Sequence, residues 1–114
     1  MRQVYLDNNA TTPLHTEVVE AMLPCLQTEF GNPSSLHWAG RQADHMLQQA
    51  RGQVASVLNA EPHEIVFTSC GTEGDNLALL GSADVLRSKG RHIITSTVEH
   101  PAVLDTCRYF EKMG

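Results

Sequence analysis

The sequence has little charge, few aromatic side chains and no long apolar run. Charged residues make up 18% of the 114 residues, aromatic residues 5% and hydrophobic residues 41%, a composition typical of a globular protein. No apolar run approaches the ~20 residues of a membrane helix, and the first segment lacks a signal-peptide pattern, so we expect no membrane partner. The net charge of −5 argues against nucleic acid as a partner.

Cysteine is also scarce. The three cysteines, Cys25, Cys70 and Cys107, are widely separated and form no C-x-x-C pair. This spacing argues against a disulfide framework and against a zinc ribbon, and we predict no metal site. Reduced thiols in a cytoplasmic protein are the simplest interpretation.

Apolar periodicity predicts four helices and two strands. The helices are expected over residues 17–27, 41–58, 73–80 with continuation to 86, and from 101 onward, and the strands over 64–68 and 92–97. Pro24 should kink or shorten the first helix, Asn59 should close the second, and Gly114 has the character of a helix C-cap residue.

The later part of the chain alternates strand, helix, strand, helix, which is typical of α/β proteins with a parallel sheet. Two strands are too few for such a sheet, because both of its faces must be covered. We therefore expect this chain to be part of a larger α/β fold.

The loop from Ser69 to Thr72 follows the first predicted strand and has the chemistry of an anion site. Gly71 permits close approach of the backbone, Thr72 adds a hydroxyl donor, and the next helix offers unpaired N–H groups that suit a phosphate monoester. The alternative is an ordinary turn with Thr72 as N-cap. Cys70 lies beside this loop, but no base adjoins it in sequence, so we do not predict a nucleophile there.

His100 follows the second predicted strand and precedes Pro101, a residue typical of the first helical position. Successive parallel strands end at the same sheet edge, so His100 should lie near the anion loop. There it could stack on a ligand or hydrogen-bond to it. The alternative is a surface histidine beside Glu99.

Two earlier loops are rich in polar side chains. The loop over residues 7–13 contains Asn8 and Thr11, which either bind a polar ligand or partner subunit or form Asx-type turns of their own. The loop over residues 32–37 contains Asn32 and is either functional or the entry to the second helix, with Ser35 as candidate N-cap.

Four segments together resemble the class V aminotransferase family, and more narrowly its cysteine desulfurases of the NifS/IscS type. In family order they are Tyr5–Thr12, Phe30–His37, Phe67–Glu73 and Val98–Leu104. The resemblance covers essentially the whole chain, and the Thr-Ser-Cys-Gly-Thr-Glu sequence within the third segment leans toward the NifS branch.

The resemblance implies the N-terminal portion of a fold type I transferase that depends on pyridoxal 5'-phosphate (PLP) and is usually a homodimer. Such an enzyme removes sulfur from L-cysteine, giving L-alanine and an enzyme persulfide for an iron–sulfur scaffold or another sulfur-acceptor protein. Residues 1–61 would form N-terminal loops and helices, and residues 62–114 the start of the large cofactor-binding domain.

The resemblance also implies roles for individual residues. Gly71 and Thr72 match the positions that hold the cofactor phosphate, and His100 matches the histidine stacked on the pyridine ring. Five loop residues match segments near the substrate or the dimer contact, namely Asn8, Ala10, Thr11, Asn32 and Ser34.

The chain departs from the family in what it lacks. Its two lysines, Lys89 and Lys112, do not match the lysine that forms a Schiff base with the cofactor. That lysine, the nucleophilic cysteine and the substrate-binding arginine belong to downstream segments of the family, so we expect this chain alone to be inactive. The alternatives are a selenocysteine lyase, a small amino-acid aminotransferase, or a non-catalytic truncated module for dimerisation or partner binding.

Overall fold

A computed structural model describes residues 2–114, and regular structure in this range is entirely helical. Four α-helices span Thr16–Gln27 (α1), Trp38–Leu58 (α2), Gly71–Leu86 (α3) and Pro101–Met113 (α4), and a single 3₁₀ turn spans Pro62–Glu64. None of these helices is both long and apolar enough to cross a bilayer. The four predicted helices are confirmed. The first three begin one to three residues earlier than predicted, and α4 begins at residue 101 as predicted.

The two predicted strands are wrong. Residues 64–68 and 92–97 form no strand in the described chain. Their β-branched residues suit a pleated surface, but a strand is completed by backbone partners, and two strands joined by one helix bury too little surface to form a parallel sheet. Residues 93–96 instead line a groove that Leu79 of α3 and Val103 of α4 share.

Helix α1 ends where the sequence predicts, although Pro24 lies inside it. The proline does not shorten the helix, which continues to Gln27. Thr28 closes it, because its backbone N–H and its hydroxyl donate to the Pro24 carbonyl at 2.9 and 3.1 Å. These two bonds satisfy a carbonyl at the end of the helix, where carbonyl groups otherwise lack intrahelical partners.

Helix α2 begins three residues earlier than predicted, and His37 rather than Ser35 is its N-cap. The Nδ1 atom of His37 accepts a hydrogen bond from the Gly40 N–H at 3.4 Å. Asn59 closes the helix as predicted, in the left-handed conformation with φ 53°. Asparagine adopts this conformation more readily than most residues, which explains its position here.

The chain divides into two compact units, the first ending at Ile65 and the second running from Val66 to Gly114. In the first unit, α2 packs against the 3₁₀ turn, and the Arg51 guanidinium donates to the Ile65 carbonyl. In the second unit, α3 packs against α4.

Burial in both units is slight. Among the described residues, the buried apolar side chains are three alanines, Ala39, Ala55 and Ala102, and no large side chain is fully buried. Large apolar side chains such as Leu36 and Ile94 are almost fully exposed. Each unit therefore has helical structure and local contacts but only a small apolar core.

Candidate functional site

The N-terminus of α3 forms the first part of the candidate site. Cys70 is the N-cap residue, with an extended backbone at φ −163° and ψ 171°, and Gly71 is the first helical residue. A Cβ atom added at Gly71 would meet nothing within 4 Å, so the space beside its backbone is open. Thr72 lies in the first turn and is not the N-cap, which contradicts the simple capping alternative.

Glu73 fixes the turn that leads into α3. The Ser69 N–H and the Ser69 hydroxyl both donate to Glu73 Oε2 at 2.6 Å. These bonds, the hydroxyl first and the N–H second, hold the pKa of the Glu73 carboxyl below its ordinary value. This role of Glu73 was not predicted, although a glutamate three residues after the N-cap position often accepts a backbone N–H at the start of a helix.

The Cys70 thiol is exposed and lies in the same turn. The backbone N–H of Glu73, followed by the Ser69 hydroxyl, lowers the pKa of this thiol. The Ser69 oxygen is 3.8 Å from the Cys70 sulfur. Helix N-termini favour anions, and both the Cys70 sulfur and the Glu73 carboxylate lie where that preference acts.

His100 forms the second part of the candidate site, as N-cap of α4 with Pro101 at the first helical position. Its Nδ1 atom accepts a hydrogen bond from the Ala102 N–H at 3.1 Å. Because Nδ1 is the acceptor, the proton of the neutral ring lies on Nε2. The histidine is exposed, so its ring remains accessible while one nitrogen is held by the helix.

One groove brings the two parts together within the second unit. Thr72 and His100 both line a cavity of about 610 Å³, together with Asn76, Leu80, Asp105, Thr106 and Tyr109 among others. Proximity of the two loops was predicted from a shared sheet edge. The structure produces it differently, by packing α3 against α4.

The remaining predicted residues lie in the first unit. Ala10 and Thr11 belong to a turn in which both of their N–H groups donate to the Asp7 carbonyl, at 3.1 and 3.4 Å. The Tyr5 hydroxyl lies 2.8 Å from the Asp7 carbonyl and 3.2 Å from that of Thr11. Asn8 lies in the same turn.

The loop before α2 is an Asx turn. The Ser34 N–H donates to Asn32 Oδ1 at 2.9 Å, and the Ser35 N–H donates to the Asn32 carbonyl at the same distance. The Asn32 side-chain oxygen is therefore bonded within its own loop, at the entry to α2. Within residues 2–114, no three His, Cys, Asp or Glu side chains are grouped as the ligands of a metal ion would be.

Two polar residues that line the groove, Asn76 and Thr106, were not predicted. The Thr106 hydroxyl lies 2.6 Å from Asn76 Oδ1, and Asn76 Nδ2 donates to the Thr72 carbonyl at 2.7 Å. Thr106 is only 6% exposed. A threonine on the apolar side of a helix is a weak signal, because it also occurs with its hydroxyl bonded to the preceding turn.

Comparison with known proteins identifies the class of protein. Residues 4–113 match the family Aminotransferase class-V, and the chain belongs to this family.

Within the family, the chain is similar to cysteine desulfurases. It is 53% identical to cysteine desulfurase IscS of Dictyoglomus turgidum over 99% of this chain and 29% of that protein. It is 54% identical to cysteine desulfurase 2 of Trichormus variabilis over 100% of this chain and 28% of that protein. The solved structure of a NifS-like protein superposes with a TM-score of 0.90 at 42% identity, covering 99% of this chain and 31% of that one. The chain thus spans under a third of the length of these relatives.

Proposed function

We propose that the intact protein is a PLP-dependent cysteine desulfurase. It would transfer the sulfur of L-cysteine to an enzyme cysteine, leaving L-alanine and an enzyme persulfide for iron–sulfur cluster assembly. The observation that carries the proposal is the single groove lined by Thr72 and His100, in a chain about half identical to cysteine desulfurases.

The residues of the second unit fit PLP. Gly71 leaves open space beside its backbone at a helix N-terminus, where the helix dipole favours a phosphate. Thr72 adds a hydroxyl on the wall of the groove. When bound, PLP supplies an electron sink for charge that develops on the substrate.

His100 would orient the cofactor ring. Its Nδ1 atom is engaged by the Ala102 N–H at 3.1 Å, which restricts rotation of the imidazole and keeps the proton on Nε2. A fixed, flat, exposed ring on the wall of the groove suits stacking on a planar heterocycle.

The remaining groups of the reaction belong, in this proposal, to segments that the relatives have beyond the matched third. These are the lysine that binds PLP, the nucleophilic cysteine and the arginine for the substrate carboxylate. We propose that Asn8, Ala10, Thr11, Asn32 and Ser34 lie near the substrate or a dimer contact of the intact protein. We also propose that the intact protein is a cytoplasmic homodimer that delivers sulfur to an acceptor protein.

Recovery of the native protein tests the proposal directly. An antibody to this region would isolate it from its source cells, and its intact mass would be compared with 12.5 kDa. We expect a mass several-fold higher, bound PLP, and release of equal amounts of alanine and acceptor-bound sulfur from L-cysteine.

Other products would contradict the desulfurase assignment. Turnover of selenocysteine alone would indicate a lyase, and a 2-oxo acid product would indicate an aminotransferase. A native mass of 12.5 kDa would contradict a self-sufficient enzyme and favour a binding module.

A further inference from the structure

A hydrogen-bonded pair, Asn76 and Thr106, joins α3 to α4 at the wall of the groove. The Thr106 hydroxyl of α4 lies 2.6 Å from Asn76 Oδ1 of α3 and 2.9 Å from the Ala102 carbonyl. Its one proton is shared between these two acceptors. Thr106 is 6% exposed and Ala102 is 9% exposed, so the link lies where water competes little and where a small side chain lets the helices approach.

Each end of this pair continues to a residue of the proposed cofactor site. On α3, Asn76 Nδ2 donates to the carbonyl of Thr72, one turn closer to the helix N-terminus, at 2.7 Å. On α4, Ala102 lies one turn before Thr106 and donates its N–H to Nδ1 of His100 at 3.1 Å. The link therefore connects the first turn of α3 to the first turn of α4.

The amide of Asn76 has one favourable orientation in this network. A flipped amide would place Oδ1 beside the Thr72 carbonyl, which is also an acceptor. The observed orientation satisfies both ends of the amide, so the pair resists sliding or rotation of one helix against the other.

We propose that Asn76 and Thr106 are positioning residues that set the separation of Thr72 and His100 across the groove, and thereby the fit of PLP. Their proposed effect on the cofactor acts through the positions of Thr72 and His100. This inference rests on the proposed function. It adds to that function two residues that hold the α3 and α4 parts of the cofactor site at a fixed separation.

The test uses the protein recovered intact, with variants expressed at the same length. Thr106→Val keeps the shape of the side chain and removes the hydroxyl, Asn76→Ala removes the other partner, and Thr106→Ser restores the hydroxyl. Thr28→Val is the matched control, since the Thr28 hydroxyl also bonds a carbonyl four residues earlier, at 3.1 Å, but in an exposed helix end of the first unit. The measurements are the PLP dissociation constant, the visible circular dichroism of bound PLP, and the melting temperature of the cofactor-free protein.

We expect Thr106→Val and Asn76→Ala each to raise the PLP dissociation constant roughly fivefold, the loss expected for one net hydrogen bond. Both should alter the dichroism of bound PLP under saturation, because the orientation of the ring changes. Their double variant should bind no more weakly than the weaker single variant, since the two residues act as one unit. Thr106→Ser should restore both properties, and Thr28→Val should change neither.

Other results would overturn the inference. If Thr106→Val and Asn76→Ala lower only the melting temperature, with PLP affinity and dichroism as in the parent, the pair is merely structural. If Thr106→Val fails to fold, PLP affinity, dichroism and melting temperature are compared in Asn76→Ala and Thr106→Ser instead. A parent protein that binds no PLP overturns the proposed function itself, whereas a parent that binds PLP but does not release sulfur from L-cysteine overturns only the desulfurase assignment.

Discussion

His15, His37 and His100 precede three of the helices, but only the rings of His37 and His100 accept a capping hydrogen bond. Comparing these two caps separates capping from function. The ring of His37 accepts the Gly40 N–H at 3.4 Å at the start of α2, and the ring of His100 accepts the Ala102 N–H at 3.1 Å at the start of α4. Both histidines have an extended backbone, and both leave the ring exposed. Their cap chemistry is therefore nearly the same.

The surroundings of the two caps differ. At α2 the backbone itself fills the available space, because a Cβ atom on Gly31 would overlap the Ala39 carbonyl and one on Gly40 would overlap the Ser35 carbonyl. At α4 the cap opens onto a groove of about 610 Å³ that Thr72 also lines. A capping histidine is thus a candidate ligand-binding residue only where space and a second polar group adjoin it.

The largest change in stability is expected from adding a side chain at Gly40, where the start of α2 is tightly packed. Gly40→Ala would force the added methyl group into the Ser35 backbone, which cannot move as a flexible side chain can. We expect a loss of about 2–3 kcal/mol in unfolding free energy, near the upper part of the range for overpacked sites. Chemical denaturation of the intact protein and hydrogen exchange of the first turn of α2 would measure it.

Gly52→Ala in the same helix is the matched control. A Cβ atom at Gly52 would meet nothing within 4 Å, so the substitution should stabilise α2 by about 0.5–1 kcal/mol, because alanine has less backbone entropy to lose. Equal effects of the two substitutions would show that the α2 entrance is not tightly packed.

A smaller effect is expected from exchanging each capping histidine for asparagine, which is itself a good N-cap. His100→Asn should keep α4 within about 1 kcal/mol of its original stability, yet weaken PLP binding roughly fivefold, as expected for loss of one aromatic contact. His37→Asn should leave PLP binding unchanged. Titration of PLP into the two intact variants would measure the difference, and equal weakening by both would contradict the contrast between the two caps.

The sequence predicted the helices and their terminal residues better than it predicted the contacts between distant segments. The helices, Pro101 at a first helical position, Asn59 as a closing residue and Gly114 as a C-cap with φ 78° are confirmed, because each depends on a few neighbouring residues. Capping preferences make Ser35 the candidate N-cap of α2, since histidine is not a residue that they select, and His37 is the N-cap observed.

The tertiary features needed information that single segments do not contain. The strands over 64–68 and 92–97 were predicted from composition, but pairing depends on partners elsewhere. The bond between Asn76 and Thr106 joins residues 30 positions apart, and only the register of α3 against α4 shows that they meet. Thr72 and His100 were predicted to lie near each other, and they do line one groove, but through helix packing rather than a sheet edge.

The smallest effect is expected from Ser69→Ala, a substitution in the turn before α3 that changes two pKa values. Ser69→Ala removes the hydroxyl that lies 2.6 Å from Glu73 Oε2 and 3.8 Å from the Cys70 sulfur. This hydroxyl lowers the pKa of the carboxyl, as the first cause, and that of the thiol, as the second cause after the Glu73 N–H. Both pKa values should therefore rise in the variant.

Ser69→Ala should change both the acid stability of the protein and the reactivity of Cys70. A carboxyl with a lowered pKa in the folded state stabilises the protein above the ordinary carboxyl range, and this stabilisation is lost as the pH falls below about 4. Ser69→Ala should therefore be less stable at neutral pH, and its stability should depend less on acid.

At fixed neutral pH, a raised thiol pKa leaves less thiolate, so alkylation of Cys70 should slow. Mass spectrometry of iodoacetamide-treated protein would measure this rate against the exposed Cys25 in the same sample. An unchanged ratio of the two rates would show that the helix N–H groups alone control the Cys70 thiol, leaving the Ser69 hydroxyl committed to Glu73.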